Sequence, residues 1–194
     1  KFVRNSDWVD GPFPLSTKMS GARLGLIGMG RIGQAIAKRA LAFDMSIAYT
    51  SRNKAQGVGY AYFSSATELA ANVDYLVVIT PGGAATKHLV NAEVLAALGP
   101  KGYLINVARG SVVDQVALIE ALQKKTIAGA ALDVFADEPR VPAELRTAQN
   151  TVLVPHIGSA TQQTRKAMAD LCMANMAAYF DGKPIPALVP ECAS

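Results

Sequence analysis

The glycine-rich stretch GMGRIG constrains this chain more than any other feature of its sequence. It places Gly28, Gly30 and Gly33 in GxGxxG spacing, between an apolar stretch that predicts a strand (23–27) and one that predicts a helix (31–43). In that context the first glycine makes a tight turn, the second lets the backbone approach a pyrophosphate, and the third lets helix and strand pack closely. The helix N-terminus offers free N–H groups to phosphates. The sequence therefore predicts a dinucleotide-binding unit, with a purely structural turn as the alternative.

Short apolar stretches alternate with amphipathic ones along the rest of the chain. Strands are predicted at residues 23–27, 45–50, 74–80, 103–107, 127–134 and 151–154. Helices are predicted at 31–43, from Ser64 or Ser65 to Ala71, from Asn91 to Gly99, at 113–123 and at about 161–180. Ile32, Ala35, Ile36 and Ala40 are expected on the buried face of the first helix. Six strands with intervening helices predict an α/β fold, a doubly wound parallel sheet of the Rossmann dinucleotide-binding type.

Composition excludes several classes of protein. The 194 residues are 51% hydrophobic and 18% charged, which is enough to form a core. No apolar run approaches the roughly 18 residues of a membrane span, and no signal-peptide core is visible, so we expect a cytoplasmic protein. Cys172 and Cys192 form no CxxC pair, which predicts neither a disulfide framework nor a metal site. The net charge of +4 is not gathered into a basic run, so we expect small anionic ligands and no nucleic acid.

The end of the second predicted strand departs from the usual dinucleotide-binding pattern. An acid that holds the ribose diol is expected about 20 residues after the glycine loop. Ser51 stands there instead, followed by Arg52, Asn53 and Lys54. A serine can donate a hydrogen bond, and the planar fork of an arginine pairs with a 2′-phosphate. The stretch therefore favours NADP(H) over NAD(H), although Arg52 could also be a solvated loop residue.

Three ionisable residues follow three different strands. Arg109 follows the strand at 103–107, Glu138 follows that at 127–134, and His156 follows that at 151–154. Each alone is more often an ordinary surface residue. Ligands bind at the carboxyl ends of parallel strands, however, so all three are expected to converge on one crevice. Their combination is typical of an active site.

Four stretches together carry a resemblance to a known family. LGLIGMGRIGQAIAKRA, INVARGSVVD, ALDVFADEP and VPHIGSAT resemble, in the same order, the signatures of the D-isomer-specific 2-hydroxyacid dehydrogenases. The resemblance covers about residues 20–183. Within the family, YTSRN and ITPGG are similar to the NADPH-dependent glyoxylate/hydroxypyruvate reductases. The resemblance implies reduction of a small 2-oxo acid to a D-2-hydroxy acid.

The resemblance also implies roles for individual residues. His156 would protonate the carbonyl oxygen of the substrate as hydride arrives from the nicotinamide. Glu138 would bind the other imidazole nitrogen, fix the tautomer and favour the acid form. Arg109 would bind the carboxylate and carbonyl of the substrate. Further residues are expected around the nucleotide: Arg31, Ile32, Thr80, Pro81, Val107, Ala108, Asp133, Gly158 and Ser159.

The resemblance sets expectations for domains and partners as well. Family members carry a second, substrate-binding domain built from both chain ends, for which 194 residues leave no room. Residues 1–20 and 183–194 are therefore expected to be arms toward that domain, flanking an NADP-binding domain at 21–182. A homodimer is expected. The alternatives are an NAD-linked phosphoglycerate or D-lactate dehydrogenase, a cofactor-sensing corepressor and a plain nucleotide-binding module; the roles of His88, Cys172 and Cys192 stay open.

Overall fold

The computed structural model describes residues 2–189, and Cys192 lies outside them. The chain divides into two compact units, Lys1–Val152 and Leu153–Ser194. The first unit contains nearly all of a seven-stranded sheet, and the second contains a long helix. The expected domain boundaries after residues 20 and 182 stay predictions.

The sheet has the strand order β3-β2-β1-β4-β5-β6-β7. Its strands are β1 Arg23–Ile27, β2 Ser46–Thr50, β3 Ala61–Tyr62, β4 Tyr75–Val78, β5 Tyr103–Asn106, β6 Gly129–Leu132 and β7 Thr151–Leu153. Neighbours from β3 to β6 pair in parallel. The order reverses between β1 and β4, which is the switch point of a doubly wound sheet. The predicted fold class is confirmed.

Within residues 2–189, six α-helices accompany the strands. They are α1 Arg31–Ala40, α2 Ala66–Ala70, α3 Ala92–Leu98, α4 Gln115–Gln123, α5 Ala143–Thr147 and α6 Gln162–Phe180. Short 3-10 turns lie at Asp7–Val9, Leu41–Phe43, Ala84–Thr86 and Gly110–Val112.

Local side-chain caps explain where several helices begin. The Ser65 hydroxyl accepts from the N–H of Glu68 at 3.1 Å, and the carboxylate of Glu68 binds Ser64 in return. The Asn91 side chain accepts from Val94 at 3.1 Å in the same manner. These bonds satisfy N–H groups that have no partner within the helix. The predicted starts of α2 and α3 are thereby confirmed.

The core lies against both faces of the central strands. Leu26, Tyr49, Leu76 and Leu104 are completely buried. Strands covered by helices on both faces read as continuous apolar runs, and the sequences of β1, β4 and β5 do so. The core therefore fixes the strands from whose ends the candidate site extends.

The structure differs from several sequence predictions about elements. The sheet has seven strands and not six, because β3 is only two residues long and leaves no periodic pattern. The helix predicted at 31–43 ends at Ala40 and tightens into a 3-10 turn. The helix predicted from Val113 begins at Gln115, after the capping side chain of Asp114. Ile32 is 61% exposed, since the small residues of α1 face the sheet instead.

The second unit is dominated by α6. Thr161 caps it by accepting from the N–H of Thr164 at 3.1 Å, and Gly182 follows its end with a φ of 66°. No residue of α6 is buried among the described residues, and Cys172 is exposed. Asn175 binds the backbone of Ala187. In the described part of the chain, every helix is too short or too polar to cross a bilayer.

Candidate cofactor-binding and active site

The carboxyl ends of five strands are aligned in one row. Thr50 pairs with Ile27, Ile27 with Val78, Val78 with Asn106, and Asn106 with Leu132. The residues that follow these strands are Ser51, Gly28, Ile79, Val107 and Asp133. The register therefore places the glycine loop, the stretch 51–54 and the segments leading to Thr80, Arg109 and Glu138 along the same edge of the sheet.

At two of the three glycines of the glycine loop, a side chain would collide with neighbouring backbone atoms. Gly28 has a φ of 112°, and a Cβ there would lie 2.9 Å from the carbonyl oxygen of Ile79. A Cβ at Gly33 would collide with the carbonyl oxygen of Gly28. Gly30, by contrast, faces open space. The first glycine makes a turn against the segment that follows β4, the third lets α1 approach that turn closely, and the second leaves a clear approach to the backbone.

The N-terminus of α1 lies at this loop. Gly30 is its N-cap and supplies no side-chain cap, and the first helical bond runs from the N–H of Gln34 to the carbonyl of Gly30 at 2.9 Å. The preceding N–H groups, with the positive end of the helix dipole, form an anion-binding arrangement. Arg31 and Ile32 are both exposed at the same point. These residues fit a dinucleotide pyrophosphate.

The stretch after β2 presents basic and amide groups. Arg52, Asn53 and Lys54 are exposed, and Arg52 forms no ion pair within residues 2–189. The Ser51 hydroxyl donates to the carbonyl oxygen of Asn53 at 2.6 Å. In this conformation the Ser51 proton closes a turn, which leaves the three following side chains as the donors.

The loop after β4 lies against Arg109. A Cβ at Gly82 would be 2.9 Å from Cγ of Arg109, so the backbone of this loop touches the arginine stem. The Thr86 hydroxyl donates to the carbonyl oxygen of Pro81 at 2.7 Å and holds the turn closed. Thr80 is half-buried, and Pro81 is exposed. The structure thus places Gly82, which directly follows Thr80 and Pro81, against Arg109.

A buried amide fixes the backbone around Arg109. Asn106 is 1% exposed; its Oδ1 accepts from the N–H of Ala108 and its Nδ2 donates to the carbonyl of Arg109, both at 3.1 Å. The guanidinium of Arg109 donates to the carbonyl of Ala108 at 2.6 Å. It forms no ion pair with any carboxylate among residues 2–189. Sequence reasoning missed Asn106, whose signal was a lone polar residue closing the apolar strand YLIN.

The loops after β5 and β6 are locked to each other. A Cβ at Gly110 would overlap the backbone of Phe135, so only glycine permits this approach. Asp133 is 7% exposed, and its N–H donates to the carbonyl of Asn106 at 3.0 Å. The N–H of Phe135 donates to one carboxylate oxygen of Glu138 at 3.0 Å. Arg109 and Glu138 therefore stand on loops that share one backbone contact.

The remaining predicted residues belong to the second unit. His156 is exposed, has a φ of 51°, and its N–H donates to the carbonyl of Val154 at 3.2 Å. A positive φ is uncommon outside glycine and occurs often in functional loops. Gly158 and Ser159 follow in the same segment, before α6. The roles of His156, Gly158 and Ser159 stay predictions.

His88 also has a defined environment. Its N–H donates to the carbonyl of Ser111 at 2.9 Å, and its ring lies 3.9 Å from the carboxylate of Asp114. Val90 bridges to Val113 beside it. His88 thus belongs to the support of the loop that follows Arg109.

Comparison with known proteins identifies a family. Residues 1–158 match the family model described as "D-isomer specific 2-hydroxyacid dehydrogenase, NAD binding domain". The match includes the glycine loop and extends to the segment that contains His156.

Individual relatives agree with that match. The chain is 52% identical over 185 residues to a hydroxyphenylpyruvate reductase of Plectranthus scutellarioides, and 50% identical over 185 residues to glyoxylate/hydroxypyruvate reductase A HPR2 of Arabidopsis thaliana. Each alignment covers 95% of this chain and 59% of the relative.

A solved structure agrees as well. The NADPH-dependent glyoxylate/hydroxypyruvate reductase of Sinorhizobium meliloti, in complex with NADP and malonate, superposes with a TM-score of 0.93 at 50% identity. The superposition covers 98% of this chain and 60% of that one. The chain thus spans about three-fifths of the length of the relatives it matches.

Proposed function

The chain belongs to the D-isomer specific 2-hydroxyacid dehydrogenase family, and on that premise we propose that its protein reduces a small 2-oxo acid to the D-2-hydroxy acid with NADPH. The observation that carries this proposal is the aligned row of strand ends, which brings the glycine loop, Arg52 and Arg109 to one edge of the sheet. The substrate class that best fits the relatives is glyoxylate or hydroxypyruvate. The relative that acts on an aryl-substituted pyruvate shares the 2-oxo acid group.

The residues present fit a nicotinamide dinucleotide. The uncapped N-terminus of α1 and the open space at Gly30 would hold the pyrophosphate, with Arg31 beside it. Thr80, Pro81, Val107 and Ala108 would line the nucleotide, and Asp133, Gly158 and Ser159 would lie near the nicotinamide. When bound, the cofactor supplies the hydride.

NADPH is proposed over NADH because of the stretch after β2. Arg52 is exposed and carries no ion pair among the described residues, and no acid stands at the ribose position. A planar guanidinium pairs well with the 2′-phosphate that distinguishes the two cofactors. The relative from Sinorhizobium meliloti is NADPH-dependent.

The proposed chemistry divides between three side chains. Arg109 binds the carboxylate of the substrate and aligns its carbonyl carbon, while its positive charge stabilises negative charge that forms on the carbonyl oxygen. His156 donates a proton to that oxygen, and Glu138 holds the imidazole in the required tautomer. Asn106 and Gly110 take no part in the reaction itself. They hold the backbone of Arg109 in place.

A homodimer and a cytoplasmic location complete the proposal. The N-terminal segment exposes several large apolar side chains, namely Val3, Trp8, Val9, Phe13 and Leu15. Apolar side chains exposed together favour a contact with another protein surface.

The test is turnover of glyoxylate and hydroxypyruvate by the full-length protein with NADPH. His156→Ala should lower kcat about 100-fold or more, because general acid catalysis is lost. Binding of NADPH, followed by nicotinamide fluorescence, should stay close to wild type. Unchanged turnover in the variant would remove His156 from the mechanism.

Turnover also separates the alternatives. A protein that binds NADPH and reduces no 2-oxo acid would support the cofactor-sensing alternative. Turnover of phosphoglycerate or D-lactate with NAD⁺ in preference would support the NAD-linked members of the family.

A further inference from the structure

The loop between β2 and β3 is held by two tyrosines on neighbouring strands. Tyr49 on β2 and Tyr62 on β3 are paired in register, and their rings meet edge-on with centroids 5.3 Å apart. Tyr49 is completely buried, whereas Tyr62 is half-buried on β3, the outermost strand of the sheet. The inner ring thus supports the outer one.

The inner tyrosine anchors the middle of the loop. The hydroxyl of Tyr49 accepts from the N–H of Ala55 at 3.1 Å and lies 3.4 Å from the carbonyl oxygen of the same residue. A buried hydroxyl with two backbone contacts fixes the chain at that point. The stretch from Ser51 to Ala55 therefore begins at the end of a strand and returns to a fixed point.

Tyr62, the outer tyrosine, contacts both ends of the stretch from Ser51 to Lys54. Its hydroxyl donates to the carbonyl oxygen of Ser51 at 3.4 Å, and the ammonium of Lys54 lies 5.9 Å from its ring centroid. That distance is within the range of a cation–π contact, roughly 6 Å. Arg52 and Asn53 lie between these two contacts, and the Ser51 hydroxyl closes the turn onto Asn53. Tyr62 therefore contacts Lys54 through its ring and the start of the turn that carries Arg52 through its hydroxyl.

We propose that Tyr62 is a positioning residue for recognition of the 2′-phosphate of NADPH, and that it acts by holding Lys54 beside Arg52. This inference rests on the proposed function. A flexible lysine loses entropy when it binds an anion, and an ammonium already held over a ring loses less. NADH lacks the phosphate, so its affinity should not depend on Tyr62.

The experiment measures dissociation constants for NADPH and NADH with the full-length protein, using nicotinamide fluorescence. Tyr62→Leu should weaken NADPH about threefold to tenfold and leave NADH within about twofold. Tyr62→Phe keeps the ring and removes only the long contact to Ser51, so its NADPH affinity should stay within about twofold of wild type. Phe63→Leu, at the neighbouring half-buried position, is the control for altered packing and should leave the ratio of the two affinities unchanged.

Coupling to Lys54 gives a second readout. Lys54→Gln should weaken NADPH about threefold or more in the wild-type background and have little further effect in the Tyr62→Leu background. Equal loss of both cofactors in Tyr62→Leu, loss in Tyr62→Phe as large as in Tyr62→Leu, or additive effects of Tyr62 and Lys54 would overturn the role.

The affinities of the wild-type protein for NADPH and NADH distinguish a failure of this inference from a failure of the proposed cofactor preference. Equal affinity of the wild type for NADPH and NADH would overturn the proposed cofactor preference itself. A clear wild-type preference that Tyr62→Leu leaves unchanged would overturn the role of Tyr62 alone.

Discussion

Arginines at the amino ends of the strands have different partners from arginines at the carboxyl ends. These ends form the amino edge and the carboxyl edge of the sheet. At the amino edge, Arg23 at the start of β1 donates two side-chain bonds to Asp74, at 2.6 and 3.1 Å, and its own N–H donates a third at 2.8 Å. At the carboxyl edge, neither Arg52 nor Arg109 forms an ion pair among residues 2–189. The arginine at the amino edge is therefore paired with a carboxylate of the protein, whereas the two arginines at the carboxyl edge are exposed without such a carboxylate in the described part of the chain.

This difference separates stability from binding. An exposed ion pair contributes at most about 1 kcal/mol to the free energy of unfolding, and its arginine is already paired with a carboxylate. An arginine without a carboxylate partner remains able to bind an anion, provided that its backbone is held in place. The side chain of Asn106 gives that support through hydrogen bonds to the backbone of Ala108 and Arg109, which do not involve the guanidinium. Substitutions at the two edges should therefore affect different measurements.

Replacement of Arg109 should have the largest effect. Arg109→Met retains the aliphatic stem against Gly82 and removes the guanidinium, so kcat/KM for a 2-oxo acid should fall about 100-fold or more. Its free energy of unfolding should change by less than about 0.5 kcal/mol. Steady-state kinetics and urea denaturation of the full-length protein test both statements.

Arg39 offers a matched control for Arg109. It is exposed on α1, and its side chain donates, within residues 2–189, to the carbonyl of Ala35 in the same helix. Arg39→Met should leave kcat/KM within about twofold of wild type. A loss of unfolding free energy in Arg109→Met as large as its loss of activity would mean that the carboxyl-edge arginine is structural, which would break the comparison.

Replacement of Arg52 should have an intermediate effect confined to one cofactor. Arg52→Ala should weaken NADPH about tenfold, which corresponds to about 1.4 kcal/mol, and leave NADH within about twofold. Isothermal titration with each cofactor measures the two affinities, again with the Arg39 variant as control. Equal weakening of both cofactors would show that Arg52 does not contact the 2′-phosphate.

Replacement of Asp74 should have the smallest effect, on stability alone. Asp74→Asn should lower the free energy of unfolding by about 0.5–1 kcal/mol near neutral pH, since the pair is partly exposed. NADPH affinity should not change. A loss of cofactor affinity in this variant would contradict the separation of the two edges.

The pH dependence of that stability difference has a definite sign. Hydrogen bonds from the Arg23 side chain hold the pKa of Asp74 below its ordinary value of 3.8, despite partial burial. A carboxyl with a lowered pKa in the folded state contributes stability above its ordinary pKa and loses it as the pH falls through the lowered value. The difference between wild type and Asp74→Asn should therefore be constant above about pH 5 and shrink below about pH 4. Urea denaturation between about pH 3 and pH 7 measures it.

Much of the fold could be predicted because its signals are local. The strand at 23–27 matches β1 residue for residue, the helix expected from Asn91 has Asn91 as its cap, and the helix expected at about 161–180 is observed at Gln162–Phe180. The wrong predictions concern features that depend on a partner. Ile32 has the apolar character of a buried residue, yet Gly33 and Ala37 are buried in its place because small residues allow α1 to approach the sheet.

The sequence pointed to charged residues for the candidate site, and it did not point to the residues that support them. Arg52, Arg109 and Glu138 were identified because charged residues after apolar strands are conspicuous in a sequence. Tyr62 and Asn106 were not, since a strand tyrosine and a terminal asparagine have ordinary structural explanations. The proposed role of Tyr62 rests on its contact with Lys54, and the support from Asn106 rests on its bond to the backbone of Arg109.

The sequence by itself determined the alternation of strands and helices, the glycine loop and the absence of an acid after β2. These are properties of residues close together in the chain, where backbone conformation and helix caps are fixed by neighbours three or four positions apart. Only the tertiary structure decided the strand order, the pairing of β3 with β2, and the contacts of Gly82 with Arg109 and of Gly110 with Phe135. Those contacts join residues far apart in sequence, and they form only when burial of the whole sheet offsets the entropy of bringing such residues together.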